Sequence, residues 1–177
     1  MFRGSNERNE MMQLIKILRQ APGARTTDAT NRLIAYGTAC LELLIRETKL
    51  MTGRGSASGP RDWVFMHMRA ADALPIAEQL TYDHDRDIQL VAAIAISKFD
   101  YEGSDNLKRR GISALRDVQQ RAKYRGDNYA NKLMDTLIVL IEFQECPNCH
   151  AHLSGGREAC PYCYQELPTR ASWPSGY

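Results

Sequence analysis

The chain lacks several features that would place it in a membrane or in a common class of enzyme. It has no uninterrupted apolar run of about 18 residues, the length that a helix needs to cross a bilayer. It also lacks a Gly-rich phosphate loop, a G-x-S-x-G nucleophile elbow and an H-E-x-x-H metal motif. These absences favour a protein that has no transmembrane helix and none of these catalytic sites.

An excess of charge of one sign is also lacking over the whole chain. The 23 basic and 21 acidic side chains give a net charge of +2, which by itself indicates neither a nucleic acid nor a membrane as partner. Residues 1–7 carry charge early and have neither the apolar stretch nor the cleavage site of a secretory signal. We therefore expect an intracellular protein, cytoplasmic or, in a eukaryote, nuclear.

Cysteine is scarce, and four of the five cysteines form two tight pairs, C-P-N-C at residues 146–149 and C-P-Y-C at residues 160–163. In a reducing compartment such pairs indicate metal ligands rather than disulfides. Each pair can direct two sulfurs at one point about 2.3 Å from a zinc ion, and two pairs complete a tetrahedron with no position for a catalytic water. The fifth cysteine, Cys40, lies among apolar residues and is predicted to be a core thiol rather than a nucleophile. The predicted ligands of one structural Zn2+ are Cys146, Cys149, Cys160 and Cys163.

Residues 145–168 resemble the short zinc-ribbon family, whose pattern is C-P-x-C-G near both knuckles. Both Cys-Pro pairs are present, and Leu153 and Leu167 follow the knuckles. The resemblance implies a small module that folds around its metal, because about 25 residues cannot bury a core alone. His150 and Tyr164 replace the two glycines, which we expect to alter the knuckle geometry. The alternatives are His150 as a ligand, iron in the same sulfurs, and two redox dithiols.

The charge of this segment argues against phosphate binding. Between Glu142 and Pro168 four glutamates oppose Arg157, a net charge of −3, and a zinc tetrathiolate adds further negative charge. We therefore expect the ribbon to contact a protein partner or to cap the helical part of the chain. Aromatic side chains often anchor such contacts. The candidates for this contact, or for the ribbon's own small core, are Tyr162, Tyr164 and Trp173.

Apolar spacing and helix-stop residues before the cysteines predict about six helices. We expect Asp28 to cap the second helix, Pro75 to end or kink the third and Ser104 to cap the fifth. A buried strand is the alternative at residues 137–141, but the i, i+4 rhythm that begins at Asn128 favours a helix. The predicted helices cover residues 6–20, 28–52, 61–80, 88–99, 105–125 and 128–143.

The predicted fold is mainly α, a bundle of about six helices with a small C-terminal zinc ribbon. Antiparallel pairs with short turns resemble HEAT-type or tetratricopeptide hairpins in architecture, although the sequence has no repeat of fixed period. We expect the apolar run at residues 137–141 to lie inside the bundle or in a homo-oligomer interface. The predicted domains are an N-terminal helical pair (1–52), a flexible linker (53–60), a helical bundle (61–143), the zinc ribbon (144–168) and a tail (169–177).

Basic residues are concentrated in the fifth predicted helix. Residues 108–125 contain seven basic side chains and one acid, a net charge of +6. Arg109, Arg116 and Lys123 recur at intervals of seven, so they share one stripe of the helix. Such a stripe is typical of a face that contacts phosphates, or of a solvated surface that pairs with acids of neighbouring helices. The candidate nucleic-acid contacts are Lys108, Arg109, Arg110, Arg116, Arg121, Lys123 and Arg125.

These patterns favour a non-enzymatic, zinc-binding interaction or regulatory protein that acts as an adaptor or scaffold in a macromolecular complex. The alternative is a nucleic-acid-associated regulator, a transcription or RNA-binding factor that uses the basic helix face. A second alternative is an HD-type metal phosphohydrolase, because His84 and Asp85 are adjacent and His67 and Asp127 could be further ligands. A helix cap explains the aspartates of residues 83–87 better than metal chemistry does.

Overall fold

The structure is a computed structural model that describes residues 3–19, 24–48 and 58–142. Within these ranges the chain forms α-helices, one 3-10 segment and no strand, which confirms the predicted mainly α class. The predicted zinc ribbon, the tail and residues 49–57 lie outside the described residues. No described helix is both long and apolar enough to cross a membrane. The helices are α1 (Arg3–Leu18), α2 (Ala24–Tyr36), the 3-10 segment (Gly37–Cys40), α3 (Leu41–Glu47), α4 (Ser58–Met66), α5 (Ala70–Leu80), α6 (Arg86–Lys98), α7 (Asp105–Tyr124) and α8 (Asn128–Glu142).

The chain divides into two compact units, Met1–Glu102 and Gly103–Tyr177. In the first unit α6 packs against α3, α4 and α5. Nine of its 13 residues are buried, and most of these are aliphatic or small, so α6 is surrounded on nearly every side. Phe65 and Phe99 meet edge to face in the same core, with ring centroids 6.4 Å apart. The central helix of the first unit is therefore α6.

The third predicted helix is interrupted at residues 67–69 and forms two helices, α4 and α5. Backbone pairing with a distant residue fixes the interruption. The N–H of Ala70 donates to the Asp100 carbonyl at 2.7 Å, and the N–H of Asp100 donates to the Met68 carbonyl at 2.9 Å. Local periodicity cannot predict this break, because the partner lies beyond α5 and α6 in the sequence.

Of the two effects predicted for Pro75, to end or to kink its helix, the structure excludes the end, because Pro75 lies inside α5. Its side chain is exposed, so water can bond the Ala71 carbonyl that proline leaves without a donor. The region also begins earlier than predicted, since α4 starts at Ser58 rather than near Arg61. Pro60 falls in the first turn of α4, where its missing N–H would have no intrahelical partner.

The second predicted helix differs from the structure at its start, middle and end. Because α2 begins at Ala24, Asp28 is an exposed residue inside the helix and not its cap. Gly37, at φ +56°, begins the 3-10 segment that separates α2 from α3. Glycine accepts this left-handed conformation without the steric cost that other residues have. The helix then ends at Glu47, before the predicted stop at Gly53.

The last two helices agree with the prediction to within one residue. The Ser104 hydroxyl accepts the N–H of Leu107 at 3.4 Å and caps α7, as predicted. Residues 137–141 are helical and not a strand, and α8 packs against α7. Within this run Leu137 and Ile141 are buried, and the three residues between them are half-buried. The run is therefore largely covered, as the sequence predicts.

Candidate nucleic-acid interface

One face of α7 carries a continuous row of exposed polar and basic side chains. Its members follow each other at three or four positions, so they are neighbours on the helix surface. On the opposite side of the helix Leu115, Val118 and Ala122 are fully buried. The row is about 21 Å long, at a rise of about 1.5 Å per residue. We call it the α7 ridge, and it consists of Arg109, Ser113, Arg116, Gln120 and Lys123.

Gln119 holds α8 against one flank of α7. Its side-chain amide donates to the Asp135 carboxylate at 2.6 Å and to the backbone carbonyl of Asn131 at 3.3 Å. Asp135 is thus hydrogen-bonded to a neutral amide, and it forms no ion pair with the α7 ridge in the described part of the chain. Asp135 of α8 therefore does not pair with the positive charges of the α7 ridge.

Carboxylates within the described residues do not neutralise the cations of the α7 ridge. Arg109 donates from Nε to the backbone carbonyl of Asp105 at 3.3 Å. The side chains of Arg116 and Lys123 form no hydrogen bond or ion pair with any described residue. Asp117 is exposed on one flank of the ridge and has an interaction partner of its own. The surface therefore keeps an excess of positive charge, as a phosphate-binding surface requires.

The other four predicted nucleic-acid contacts already interact with other groups of the protein. Arg110 and Arg125 are exposed, whereas Lys108 and Arg121 are half-buried. Each of the four already has an interaction partner within the protein. The candidate interface therefore depends on the α7 ridge and not on all seven basic residues.

Backbone hydrogen bonds fix the turn between α7 and α8. Gly126, at φ +68°, donates its N–H to the Lys123 carbonyl at 3.0 Å. The N–H of Asp127 donates to the Ala122 carbonyl at 2.9 Å, which completes a Schellman motif at the end of α7. The Asp127 carboxylate accepts the N–H of Ala130 at 3.0 Å and so caps α8. The turn is therefore ordered by its own backbone and cap.

Tyr124, the last residue of α7, is a surface feature that helical periodicity does not single out. With 83% of its surface exposed, it is the most exposed large apolar side chain of the described residues. It lies one helical turn beyond Gln120, so it extends the α7 ridge toward the turn. The signal that could have identified it is its position between two basic residues, Lys123 and Arg125.

The predicted zinc ligands and the predicted partner contacts lie outside the described residues. Their thiols suit Zn2+ by chemistry, and the site stays a prediction. Among the described residues, no group of three or more His, Cys, Asp or Glu side chains could hold a metal ion. The residues concerned are Cys146, Cys149, Cys160, Cys163, Tyr162, Tyr164 and Trp173.

Several residues considered for HD-type chemistry have identifiable structural contacts. The Asp85 carboxylate accepts the N–H of Asp87 at 2.9 Å and caps α6, as predicted for this segment. The Nδ1 atom of His67 lies 2.8 Å from the Trp63 carbonyl at the surface. His84 is exposed. Asp127, the fourth residue considered, caps α8 as described above.

Next to the α6 cap, Arg46 connects α3 to Asp83. Its Nη1 atom donates to Asp83 Oδ2 at 2.8 Å, and its Nε atom donates to Glu42 Oε1 at 2.9 Å. The N–H of Asp85 donates to the other Asp83 oxygen at 2.9 Å. This N–H, and after it the Arg46 guanidinium, lowers the pKa of Asp83 below its ordinary value of 3.8. The cluster borders an open depression of about 270 Å³.

Cys40 is buried, as predicted, although it lies in the 3-10 segment and not in the middle of a helix. Its Sγ atom lies 3.2 Å from the carbonyl oxygen of Gly37 and 3.4 Å from that of Leu33, and its single S–H can donate to either. Burial raises the pKa of this thiol to about 12. Almost no thiolate is present at neutral pH, so Cys40 behaves as a core side chain and not as a nucleophile.

Comparison with protein-family models, with curated proteins and with solved structures finds no match for this chain. The zinc-ribbon resemblance therefore depends on the motif at residues 145–168 alone. The likeness to HEAT-type or tetratricopeptide hairpins depends on helix pairing alone. Both stay predictions.

Proposed function

We propose that this chain is a non-enzymatic, zinc-binding interaction or regulatory protein that acts as an adaptor or scaffold in a macromolecular complex. The observation that carries the proposal is the pair of C-x2-C motifs at residues 146–149 and 160–163. Four thiolates fill the coordination shell of one Zn2+, which leaves no position for a catalytic water. The metal would then stabilise a small module that contacts a partner protein.

The metal content of the purified chain tests this proposal. Elemental analysis should find one zinc per chain, and Cys146→Ser/Cys149→Ser should lose it. The matched control is Cys40→Ala, which removes a buried thiol far from the motif in sequence and should keep the zinc. A folded chain without metal, or one whose paired cysteines form disulfides, contradicts the proposal. A second metal equivalent would favour the HD-type hydrolase instead.

A second candidate function is that of a nucleic-acid-associated regulator that binds phosphates through the α7 ridge. The observation that favours it is the exposure of Arg109, Arg116 and Lys123 without a carboxylate partner among the described residues. The other explanation of a basic helix is that its side chains pair with neighbouring acids. These three side chains form no such ion pair with a described residue. Their span of about 21 Å is long enough to contact several phosphates of one strand.

Polynucleotide binding measured against salt concentration tests the second candidate. The slope of log K against log salt should become shallower by about 2 to 3 in Arg109→Ala/Arg116→Ala/Lys123→Ala, because each phosphate contact contributes about 0.7 to 0.9. The matched control Arg8→Ala/Lys16→Ala/Arg25→Ala removes the same charge from exposed positions of α1 and α2 and should keep the slope. Absence of binding at low salt, or equal losses in both variants, contradicts this function.

Asp117→Asn provides the opposite test. It removes an acid from the flank of the α7 ridge while it keeps the shape of the side chain. If the ridge contacts phosphates, affinity at low salt should rise by about twofold to fivefold. Unchanged or weaker binding would indicate that phosphates contact another surface.

A further inference from the structure

We infer that the C-terminal end of α7 binds single-stranded nucleic acid, with Tyr124 stacking on an unpaired base while the α7 ridge contacts the adjoining phosphates. The inference rests on the nucleic-acid function proposed above and adds the type of strand that is bound. It requires an aromatic face open to solvent, cations beside it and an ordered backbone beneath it.

The exposure of Tyr124 provides the open aromatic face. The side chain is 83% exposed, more than Tyr82 at 62%, Trp63 at 51% or Tyr129 at 50%. No hydrogen bond or ring contact with any described residue engages this side chain. An exposed ring at the end of a helix can stack on a base with its backbone already in place.

The surroundings of Tyr124 provide the cations. Gln120 lies one turn before Tyr124, and it also neighbours Arg116 and Lys123, so the ring continues the α7 ridge. The nearest acid in the following turn is Asp127, whose carboxylate already accepts the N–H of Ala130 at 3.0 Å. Asp117 lies about two turns before Tyr124 along the helix and is a further exposed negative charge on α7. The approach to the ring is therefore mainly positive, as a phosphate backbone requires.

The order of the turn reduces the entropic cost of binding. The Schellman bonds from Gly126 and Asp127 hold the backbone at the end of α7, and the Asp127 cap holds the start of α8. A ring on such a backbone loses only side-chain freedom when it stacks.

A double helix would not use this ring. Bases in a duplex are already stacked and paired, so a tyrosine on a helix surface finds no open base face without flipping a base out. A duplex could contact the cations of the α7 ridge, but it would leave Tyr124 without a role. The combination of ring and ridge therefore favours a single strand.

Fluorescence anisotropy with the full chain tests the inference. The probes are labelled single strands of oligo-dT and oligo-U, and a mixed-sequence duplex of the same length. Tyr124→Ala should weaken single-strand binding by about 5-fold to 100-fold, which is the usual contribution of one stacked base. The salt dependence of Tyr124→Ala should match that of the wild type, because no charge is removed, and Tyr124→Phe should bind like the wild type.

Tyr82→Ala is the matched control, since it removes another exposed tyrosine, in the first unit, and should bind like the wild type. Thermal unfolding of each variant confirms that folding is intact. Equal affinity of Tyr124→Ala and wild type for single strands, or stronger binding of the duplex than of either single strand, overturns the inference. If such binding still depends on the α7 ridge, only the single-strand inference fails. Absence of any binding by the wild type at low salt refutes the nucleic-acid function itself.

Discussion

The helices α6 and α7 are both capped by a side-chain oxygen, but they bury very different shares of their residues. In α6 nine of 13 residues are buried, and in α7 only four of 20 are. The apolar residues of α6 lie all around the helix, whereas those of α7 form one narrow stripe. A helix of the first kind belongs to a core, and a helix of the second kind has a solvent face that is available for binding. Changes in α6 should therefore affect stability, and changes on the α7 ridge should affect binding.

The largest expected effect comes from opening a cavity in α6. Ile96 is fully buried, so Ile96→Ala should lower the free energy of unfolding by about 2 to 5 kcal/mol. Arg116→Ala on the exposed face of α7 should change it by no more than about 0.5 kcal/mol. Urea unfolding followed by far-ultraviolet circular dichroism measures both. Equal effects of the two substitutions would break the comparison.

A smaller effect should appear at the turn that ends α7. Gly126→Ala places a β-carbon at φ +68°, which should cost about 1 to 2 kcal/mol of stability. No atom lies within 4 Å of the added carbon, so the cost is conformational and not steric crowding. Gly59→Ala, in α4 and also without close atoms, should not destabilise the protein. Thermal unfolding would contradict the prediction if both variants lost the same stability.

The two caps should differ in strength because their hydrogen bonds differ in length. Asp85 accepts its bond at 2.9 Å and Ser104 at 3.4 Å. Asp85→Ala should cost about 1 kcal/mol of unfolding free energy, and Ser104→Ala should cost less. Asp85→Asn should keep most of the stability, because asparagine also caps helices. A larger loss for Ser104→Ala in chemical denaturation would refute this order.

The smallest expected effect is a dependence of stability on pH at Asp83. Its pKa is lowered in the folded protein by the N–H of Asp85 and then by Arg46. Ionised Asp83 therefore stabilises the folded state above the unfolded value of about 3.9, and this contribution is lost as the pH falls through the lower folded value. Asp83→Asn should be less stable than the wild type at neutral pH, by less than about 1 kcal/mol, because Arg46 is partly exposed.

Urea unfolding of wild type and Asp83→Asn at several pH values measures this difference. It should close as the solution becomes more acidic than about pH 4. The exposed Asp28→Asn controls for the loss of one negative charge. A difference that stays constant with pH would exclude this role of Asp83.

The sequence predicts the last three helices well because their signals are local. Ser104 and Asp85 stand at helix starts, and the apolar spacing of each helix needs no partner to be recognised. The stripe of Arg109, Arg116 and Lys123 follows from helical spacing in the same way, and its exposure agrees with that spacing.

The features that the sequence does not predict depend on distant contacts or on unpatterned positions. The break between α4 and α5 comes from pairing with Asp100, which lies beyond α6. The left-handed Gly37 that separates α2 from α3 lies within an otherwise helical pattern. Likewise, only the folded structure shows that Lys108 and Arg121 are half-buried and interact with other groups of the protein. The side chains of Arg116 and Lys123 are exposed and have no partner among the described residues.

Because Cys40 is buried, chemical labelling of its thiol can detect opening of the first unit. A maleimide or iodoacetamide reagent has no access to the buried thiol of this residue in the 3-10 segment, which also carries its proton at neutral pH. Cys40 should therefore be alkylated only when the first unit opens, and the alkylation rate should measure how often this opening occurs. Labelling of the four paired cysteines would be counted in the same mass spectrum, so one time course would separate reactions at residues 146–163 from opening of the helical core.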